Sequence, residues 1–130
     1  MADLPNPGVY NIFSTAFEDA AVVILPNQDA VRGIPQMPTM LTLTYVNRGN
    51  GICMISDTLQ GRFLGINQLP DVEMTGAVYL SGEEQTWILR RVGDNYTISQ
   101  EERFWFLAGL GEMIRTSPEK QQTWKFEQMG

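Results

Sequence analysis

Short stretches of alternating apolar and polar residues recur along this chain, and three of them open in a related way. The tripeptides Gln85-Thr86-Trp87 and Gln122-Thr123-Trp124, 37 residues apart, each lead into such a stretch. A more divergent copy, Thr39-Met40-Leu41, leads into Thr-Leu-Thr-Tyr-Val46. Alternation with a period of two predicts β-strands with one buried face. Three related strand openings in one chain predict an internal repeat.

The same alternation predicts three further strands ahead of each of these. Tyr10, Ile52 and Tyr96 take the same place in the first strand of each unit and are spaced by 42 and 44 residues. Turn-forming Gly, Pro and Asn residues separate the strands at short intervals, which is typical of a sandwich or a barrel. The predicted first, second and third strands are, in chain order, 9–12, 21–25 and 31–34; 51–54, 62–66 and 77–80; 95–98, 104–108 and 113–116.

Twelve short strands in three similar units can close a barrel with a hairpin cap, which removes exposed sheet edges. We therefore predict an all-β protein with a β-trefoil fold, in which three four-stranded repeats show pseudo-threefold symmetry. One domain spans residues 1–130, with repeats at about 8–49, 50–93 and 94–130. Trp87, Trp124 and Leu41 would then meet in the core near the axis. The glutamine of each tripeptide would satisfy backbone groups at a turn.

Composition narrows the chemistry that this domain can support. The 130 residues include nine basic and fifteen acidic residues, for a net charge of −6, which argues against nucleic-acid binding. The chain has no histidine, which excludes a Ser-His-Asp or Cys-His site and a histidine-ligated metal. We predict neither a metal nor another cofactor. The single cysteine, Cys53, lies in an apolar run and is predicted to be a buried hydrophobic residue.

The chain shows no signal for a membrane or for secretion. No apolar run approaches the roughly 20 residues of a membrane span, and the N-terminus has neither a basic nor an apolar region. With one cysteine and no internal disulfide, we expect a soluble cytoplasmic protein without membrane insertion. Catalysis is also unexpected, since the adjacent pairs Glu83-Glu84 and Glu101-Glu102 would point to opposite strand faces and could not act as paired carboxylates.

These strands resemble those of a known family. The Gln-x-Trp repeat, the Gly-x-Tyr-x-Ile opening strand and the repeat spacing resemble the ricin B-like β-trefoils over about residues 8 to 129. The stretch from Pro7 to Ile12 and the closing stretch from Gln121 to Glu127 look like those of the small mushroom members. These members comprise lectins and also protease inhibitors of the clitocypin and cospin kind, and the shared fold does not choose between the two.

The resemblance implies a non-catalytic lectin as the first reading. In ricin B-like lectins a repeat holds a sugar in a shallow pocket with an acid near its second strand, an aromatic residue from its third, and an Asn before the tripeptide. Repeat 2 comes closest to this set. Asn67 stands where the acid is expected, Tyr79 supplies the aromatic residue, and Glu84 stands where the Asn is expected. The partners implied are glycans of glycoproteins or glycolipids. Because no repeat shows the full set, a trefoil that has lost sugar binding and serves as an interaction module stays open.

Protease inhibition is the alternative that the resemblance implies. A rigid barrel can present a loop to a protease cleft, and a loop already held in its bound shape binds well. Asn27, in the stretch 26–29, would suit an asparagine-specific protease. Arg32 and Arg48, each followed by glycine, would suit a trypsin-like pocket whose carboxylate selects a guanidinium.

Overall fold

Residues 4–18, 20–66 and 76–129 are described by a computed structural model, and within them the chain forms twelve β-strands and no α-helix. A single 3-10 turn, Arg48–Asn50, follows the fourth strand. No helix in these ranges has the length and apolarity needed to cross a membrane. The strands are β1 Gly8–Ser14, β2 Ala21–Ile24, β3 Val31–Ile34, β4 Leu41–Asn47, β5 Ile52–Asp57, β6 Phe63–Ile66, β7 Val78–Ser81, β8 Trp87–Val92, β9 Asn95–Gln100, β10 Arg103–Phe106, β11 Arg115–Ser117 and β12 Trp124–Gln128.

Six strands form a closed barrel. Going around the ring, β1 pairs with β4, β4 with β5, β5 with β8, β8 with β9, β9 with β12, and β12 with β1, all antiparallel. Because every strand of the ring has two neighbours, the barrel has no open edge to pair with another chain. The prediction of an all-β protein is confirmed.

The other six strands form three hairpins, β2–β3, β6–β7 and β10–β11. Each hairpin follows β1, β5 or β9 and precedes β4, β8 or β12, so all three lie at the same end of the barrel. Single bridges join each hairpin to the next, and these bridges are Ala30 to Tyr79, Ala77 to Arg115 and Arg32 to Met113. Ala77 and Met113 therefore pair with a neighbouring hairpin. This is why β7 and β11 begin one and two residues later than the sequence pattern predicts.

Three tryptophans dominate the core. Trp87, Trp105 and Trp124 are fully buried. The Trp105 ring meets the Trp87 and Trp124 rings edge to face, at centroid distances of 5.4 and 5.6 Å. Leu41 is 1% exposed in the same core, which confirms the predicted core position of the three strand openers. Cys53 is buried as predicted, and burial raises the pKa of its thiol to about 12.

The residues ahead of these openers satisfy backbone groups, as the sequence predicts. Gln85 Oε1 accepts a hydrogen bond from the backbone N–H of Ile66 at 3.0 Å. Gln122 binds Leu107 twice, accepting from its N–H at 2.9 Å and donating to its carbonyl at 3.1 Å. In the divergent copy, the Thr39 hydroxyl accepts from the N–H of Ile24 at 2.8 Å. Each contact ties the end of a hairpin's first strand to the barrel strand that follows the hairpin.

Candidate functional site

The second hairpin carries the candidate sugar site. Tyr79 on β7 lies directly opposite Gly65 on β6, so the two positions share one face of the hairpin. A Cβ atom on Gly65 would lie 2.3 Å from the Cδ and Nε2 atoms of Gln85. The Gln85 carboxamide therefore occupies the space where a side chain at position 65 would stand. Consequently the half-buried Tyr79 lies beside a carboxamide instead of a cross-strand side chain.

The loop that precedes β8 is held against this face. Besides the Ile66 N–H, Gln85 Oε1 lies 3.4 Å from Gln100 Nε2, which also donates to the Thr86 carbonyl at 2.9 Å. Trp87 then anchors the start of β8, because its indole N–H donates to the Leu64 carbonyl at 2.8 Å. The residue just before Gln85 is Glu84, and it is exposed.

Two of the three residues predicted for the sugar site lie on neighbouring elements. Tyr79 is on β7, and Glu84 is in the loop before β8, where the next residue covers Gly65. Asn67, the third predicted residue, lies outside the described residues.

A polar cluster next to Tyr79 was not predicted from the sequence. Asp29 Oδ1 accepts from Arg62 Nη1 at 2.8 Å, and Arg62 Nη2 donates to the Leu80 carbonyl at 3.2 Å. The Leu80 N–H in turn donates to the Asp29 carbonyl at 2.8 Å. Both charged side chains are partly exposed, so the ion pair adds at most about 1 kcal/mol to stability. Its effect is positional, since it fixes the first hairpin's loop beside the Tyr79 strand.

The close approach of another group to Gly65, the residue opposite Tyr79, has a signal in the sequence. Gly65 interrupts the apolar run of β6, and a glycine inside a strand often marks a close approach of another group. The group that approaches is the Gln85 side chain, from 20 residues further along the chain. The sequence shows that something comes close to Gly65 and leaves the identity of that group open.

The other two hairpins carry different residues at the corresponding positions. Val23 faces Arg32 in the first hairpin, and Phe106 faces Arg115 in the third. In the third hairpin the aromatic residue is on the first strand, and the Lys120 ammonium lies 4.9 Å from the centre of the Phe106 ring. Among these facing pairs, an aromatic residue on the hairpin's second strand occurs only at Tyr79.

Asn27, the first residue predicted for an inhibitory loop, is exposed at the tip of a tight turn. The Gln28 N–H closes this turn by donating to the Leu25 carbonyl at 3.1 Å, and Asn27 has a left-handed φ of 62°. The Asp29 ion pair holds the far side of the loop. The loop is thus rigid, but its tip is not the extended backbone that adds as a strand to a partner.

The two arginines predicted for a trypsin-like pocket each contact the chain's own backbone. Arg32 donates to the Gly111 carbonyl at 3.1 Å. Arg48 lies at the opposite end of the barrel, where it donates to the Leu4 carbonyl at 3.2 Å and to Asn6 Oδ1 at 2.9 Å. Asn27 and Arg32 therefore belong to the first hairpin, and Arg48 does not share a surface with them.

The described residues contain no cluster of side chains that could bind a metal ion. Within residues 4–18, 20–66 and 76–129, no three His, Cys, Asp or Glu side chains are grouped so that they could hold an ion. The candidate site combines the Tyr79 ring, the Gln85 carboxamide and the Glu84 carboxylate.

No protein-family profile and no curated protein sequence matches the chain. Solved structures do match it. The Macrolepiota procera ricin B-like lectin in complex with lactose superposes with a TM-score of 0.78 at 14% identity, covering 98% of this chain and 99% of that one. A proteinase inhibitor from Coprinopsis cinerea gives a TM-score of 0.71 at 12% identity, covering 97% and 100%.

A third match is the Polyporus squamosus lectin bound to the human-type influenza-binding epitope Neu5Acα2-6Galβ1-4GlcNAc. Its TM-score is 0.74 at 16% identity, over 97% of this chain and 50% of that lectin. Identities this low establish the fold alone, and the same fold serves lectins and an inhibitor. The chain has the β-trefoil fold that these two lectins and the inhibitor share.

Proposed function

We propose that this protein is a non-catalytic carbohydrate-binding protein that holds a glycan in a shallow site on the second hairpin. We propose further that its twelve strands form three four-stranded repeats with pseudo-threefold symmetry. The repeat proposal is supported by one recurring contact, in which Thr39, Gln85 or Gln122 accepts a hydrogen bond from the end of the preceding hairpin's first strand.

The observation that carries the binding proposal is the position of Tyr79 opposite Gly65 and beside the Gln85 carboxamide. An aromatic side chain provides a flat apolar surface with a polar tip, which suits the apolar face of a sugar ring. Ring hydroxyls need polar partners at the edge of that surface. The exposed Glu84 carboxylate accepts hydrogen bonds from hydroxyls, and a carboxamide such as that of Gln85 can both donate and accept.

The hydrogen bonds and the ion pair around Tyr79 support a binding site that is ordered before a ligand arrives. The hydrogen bonds of Gln85 and Trp87 hold the loop, and the Asp29–Arg62 pair holds the neighbouring hairpin. A site that is ordered before its ligand arrives loses less conformational entropy on binding. Two of the matching structures are lectins solved with sugars, lactose in one and a sialylated trisaccharide in the other. The glycan partners proposed here are those of glycoproteins or glycolipids.

The test is a glycan array followed by calorimetric titration of the sugar that binds. Tyr79→Ala should weaken that binding at least tenfold, because the stacking surface is lost, and Glu84→Gln should weaken it less. The matched control is Phe106→Ala, which removes a half-buried aromatic residue from the third hairpin and should leave binding unchanged. The proposal fails if no glycan binds at high protein concentration, or if Tyr79→Ala binds as well as the wild type.

Protease inhibition is the second candidate function, and one observation favours it. Asn27 is exposed at the tip of a turn that is closed by its own hydrogen bond and anchored by Asp29, and a Coprinopsis inhibitor has the same fold. The protein would be assayed against trypsin, a papain-like protease and an asparagine-specific protease. Asn27→Ala should abolish inhibition of the last. Inhibition of trypsin that is lost in Arg32→Ala or Arg48→Ala would instead assign the function to an arginine.

A further inference from the structure

The N-terminal segment Leu4–Asn6 crosses the barrel end that lies opposite the three hairpins. This is the end where β1 begins and β4 finishes. The backbone carbonyls of three successive residues each accept a hydrogen bond from a side chain of the barrel. The donors for Leu4, Pro5 and Asn6 are, in turn, Arg48 Nη2 at 3.2 Å, the Tyr45 hydroxyl at 2.6 Å and the Tyr10 hydroxyl at 2.7 Å.

Two side chains of the segment also make contacts. Arg48 Nη2 donates to Asn6 Oδ1 at 2.9 Å, and Leu4 packs against the hydrophobic core. Pro5 has no backbone N–H, so the carbonyl bond from Tyr45 meets its whole hydrogen-bonding need. The contacts thus combine an apolar anchor at Leu4, a backbone carbonyl bond at Pro5 and a side-chain amide bond at Asn6.

The floor of this barrel end is aromatic. The Phe126 ring lies edge to face with Tyr10 and Tyr96, at centroid distances of 5.7 and 5.4 Å, and the Arg48 guanidinium lies 5.4 Å from the Tyr45 ring centre. Aromatic-lined surfaces recognise extended proline-containing peptides in several modules. Burial raises the pKa of both the Tyr10 and Tyr45 hydroxyls, so both remain protonated donors at neutral pH.

The segment itself is not part of the barrel. Leu4–Asn6 belong to no strand, so their release breaks none of the pairing that closes the ring. The three donors come from β1, β4 and the 3-10 turn, and all of them bond the three-residue segment Leu4–Asn6.

We propose that this end of the barrel is a peptide-binding site, occupied by the chain's own Leu4–Asn6. The same site takes an extended peptide of the same chemistry, an apolar residue followed by proline and asparagine, from another protein. Because the chain's own segment is tethered next to the site, its effective concentration is about millimolar or higher. A second peptide therefore binds well only when the tethered segment is released.

The experiment uses the whole 130-residue chain, in which Leu4→Asp and Asn6→Ala together release the segment. A fluorescently labelled peptide with the sequence of residues 1–8 is titrated against this variant and against the wild type, and binding is followed by anisotropy. The peptide should bind the released variant at least tenfold more tightly than the wild type. A peptide carrying the same two substitutions should not bind either protein.

A second pair of substitutions tests the site itself. Tyr45→Phe with Arg48→Ala, added to the released variant, should weaken peptide binding at least tenfold, because the ring remains while two carbonyl donors are lost. Near-UV circular dichroism and tryptophan emission show whether each variant retains the native core. If Leu4→Asp prevents folding, the milder Leu4→Ala/Asn6→Ala protein provides the same comparison.

The proposal is overturned if a folded released variant binds the wild-type peptide no better than the substituted one. It is overturned equally if the Tyr45→Phe/Arg48→Ala change leaves that binding intact. Sugar binding at Tyr79 concerns the other end of the barrel, so its outcome has no bearing on this result.

Discussion

The second and third hairpins have the same frame and different faces. In each, a glutamine accepts a hydrogen bond from the N–H at the end of the hairpin's first strand, and the tryptophan two residues later donates to a carbonyl of that strand. On the face above this frame, the second hairpin presents Gly65 and Tyr79, and the third presents Phe106 and Arg115. The contacts that build the fold recur, whereas the residues that could bind a ligand do not.

The charges beside the two faces also differ, with an acidic residue beside the second hairpin and a basic residue beside the third. The loop after the second hairpin carries Glu84, and the loop after the third carries Lys120, whose ammonium lies over the Phe106 ring. A cation that is held on an aromatic face takes up the surface on which a sugar would stack. We therefore expect the sugar binding proposed for Tyr79 to occur on the second hairpin and not on the third.

The largest expected effect tests the shared frame. Trp87→Ala and Trp124→Ala each remove a fully buried ring and should each lower the free energy of unfolding by about 3–5 kcal/mol. Urea titrations with linear extrapolation measure both losses. Similar losses would support equivalent structural roles for the two tryptophans. A loss at one position that exceeds the other by more than about 2 kcal/mol would contradict that equivalence.

An intermediate effect tests the difference between the faces. Gly65→Ala should lower the free energy of unfolding by about 1–3 kcal/mol, because the added Cβ would lie 2.3 Å from the Gln85 carboxamide. The displaced carboxamide would also lose its bond to the Ile66 N–H. Thermal unfolding followed by circular dichroism measures the loss. Gly82→Ala is the matched control, since nothing lies within 4 Å of its Cβ position, and an equal loss there would contradict the steric argument.

The smallest expected effect concerns the third hairpin's face. Lys120→Ala should lower the free energy of unfolding by at most about 1 kcal/mol, the usual range for an exposed cation–aromatic contact. Sugar binding at the second hairpin should stay at the wild-type level, measured by the same calorimetric titration. A tenfold change in sugar affinity would show that the third hairpin takes part in the site, and it would contradict the expectation that sugar binds on the second hairpin only.

The strand pattern could be predicted because each strand is a local signal. Alternation of period two marked the barrel strands, and Gly, Pro and Asn marked the turns between them. Trp87 and Trp124 open their strands at the predicted residues. Several bounds shifted by one or two residues, and two of them, at Ala77 and Met113, lie at bridges to other hairpins, which local alternation cannot encode.

The candidate site was predictable only in part, because its surroundings come from distant parts of the chain. Tyr79 and Glu84 were predicted from their positions relative to the Gln-Thr-Trp tripeptide. The Gln85 carboxamide above Gly65 and the Asp29–Arg62 pair beside Leu80 depend on strand register and on hairpins meeting across the cap. Trp105, at the centre of the three indole rings, was one apolar residue among several in its predicted strand. Its central place follows from the closure of the barrel.

Twelve strands, a buried Cys53 and a core containing Trp87, Trp124 and Leu41 could be predicted from local patterns, because alternation along a strand depends only on neighbouring residues. Which side chains share a face depends on strand register. The register places Tyr79 opposite a glycine and Phe106 opposite an arginine, and barrel closure lets Arg48 donate to the Leu4 carbonyl. These partners are distant in sequence, so they meet only when register and barrel closure bring their segments within hydrogen-bonding distance.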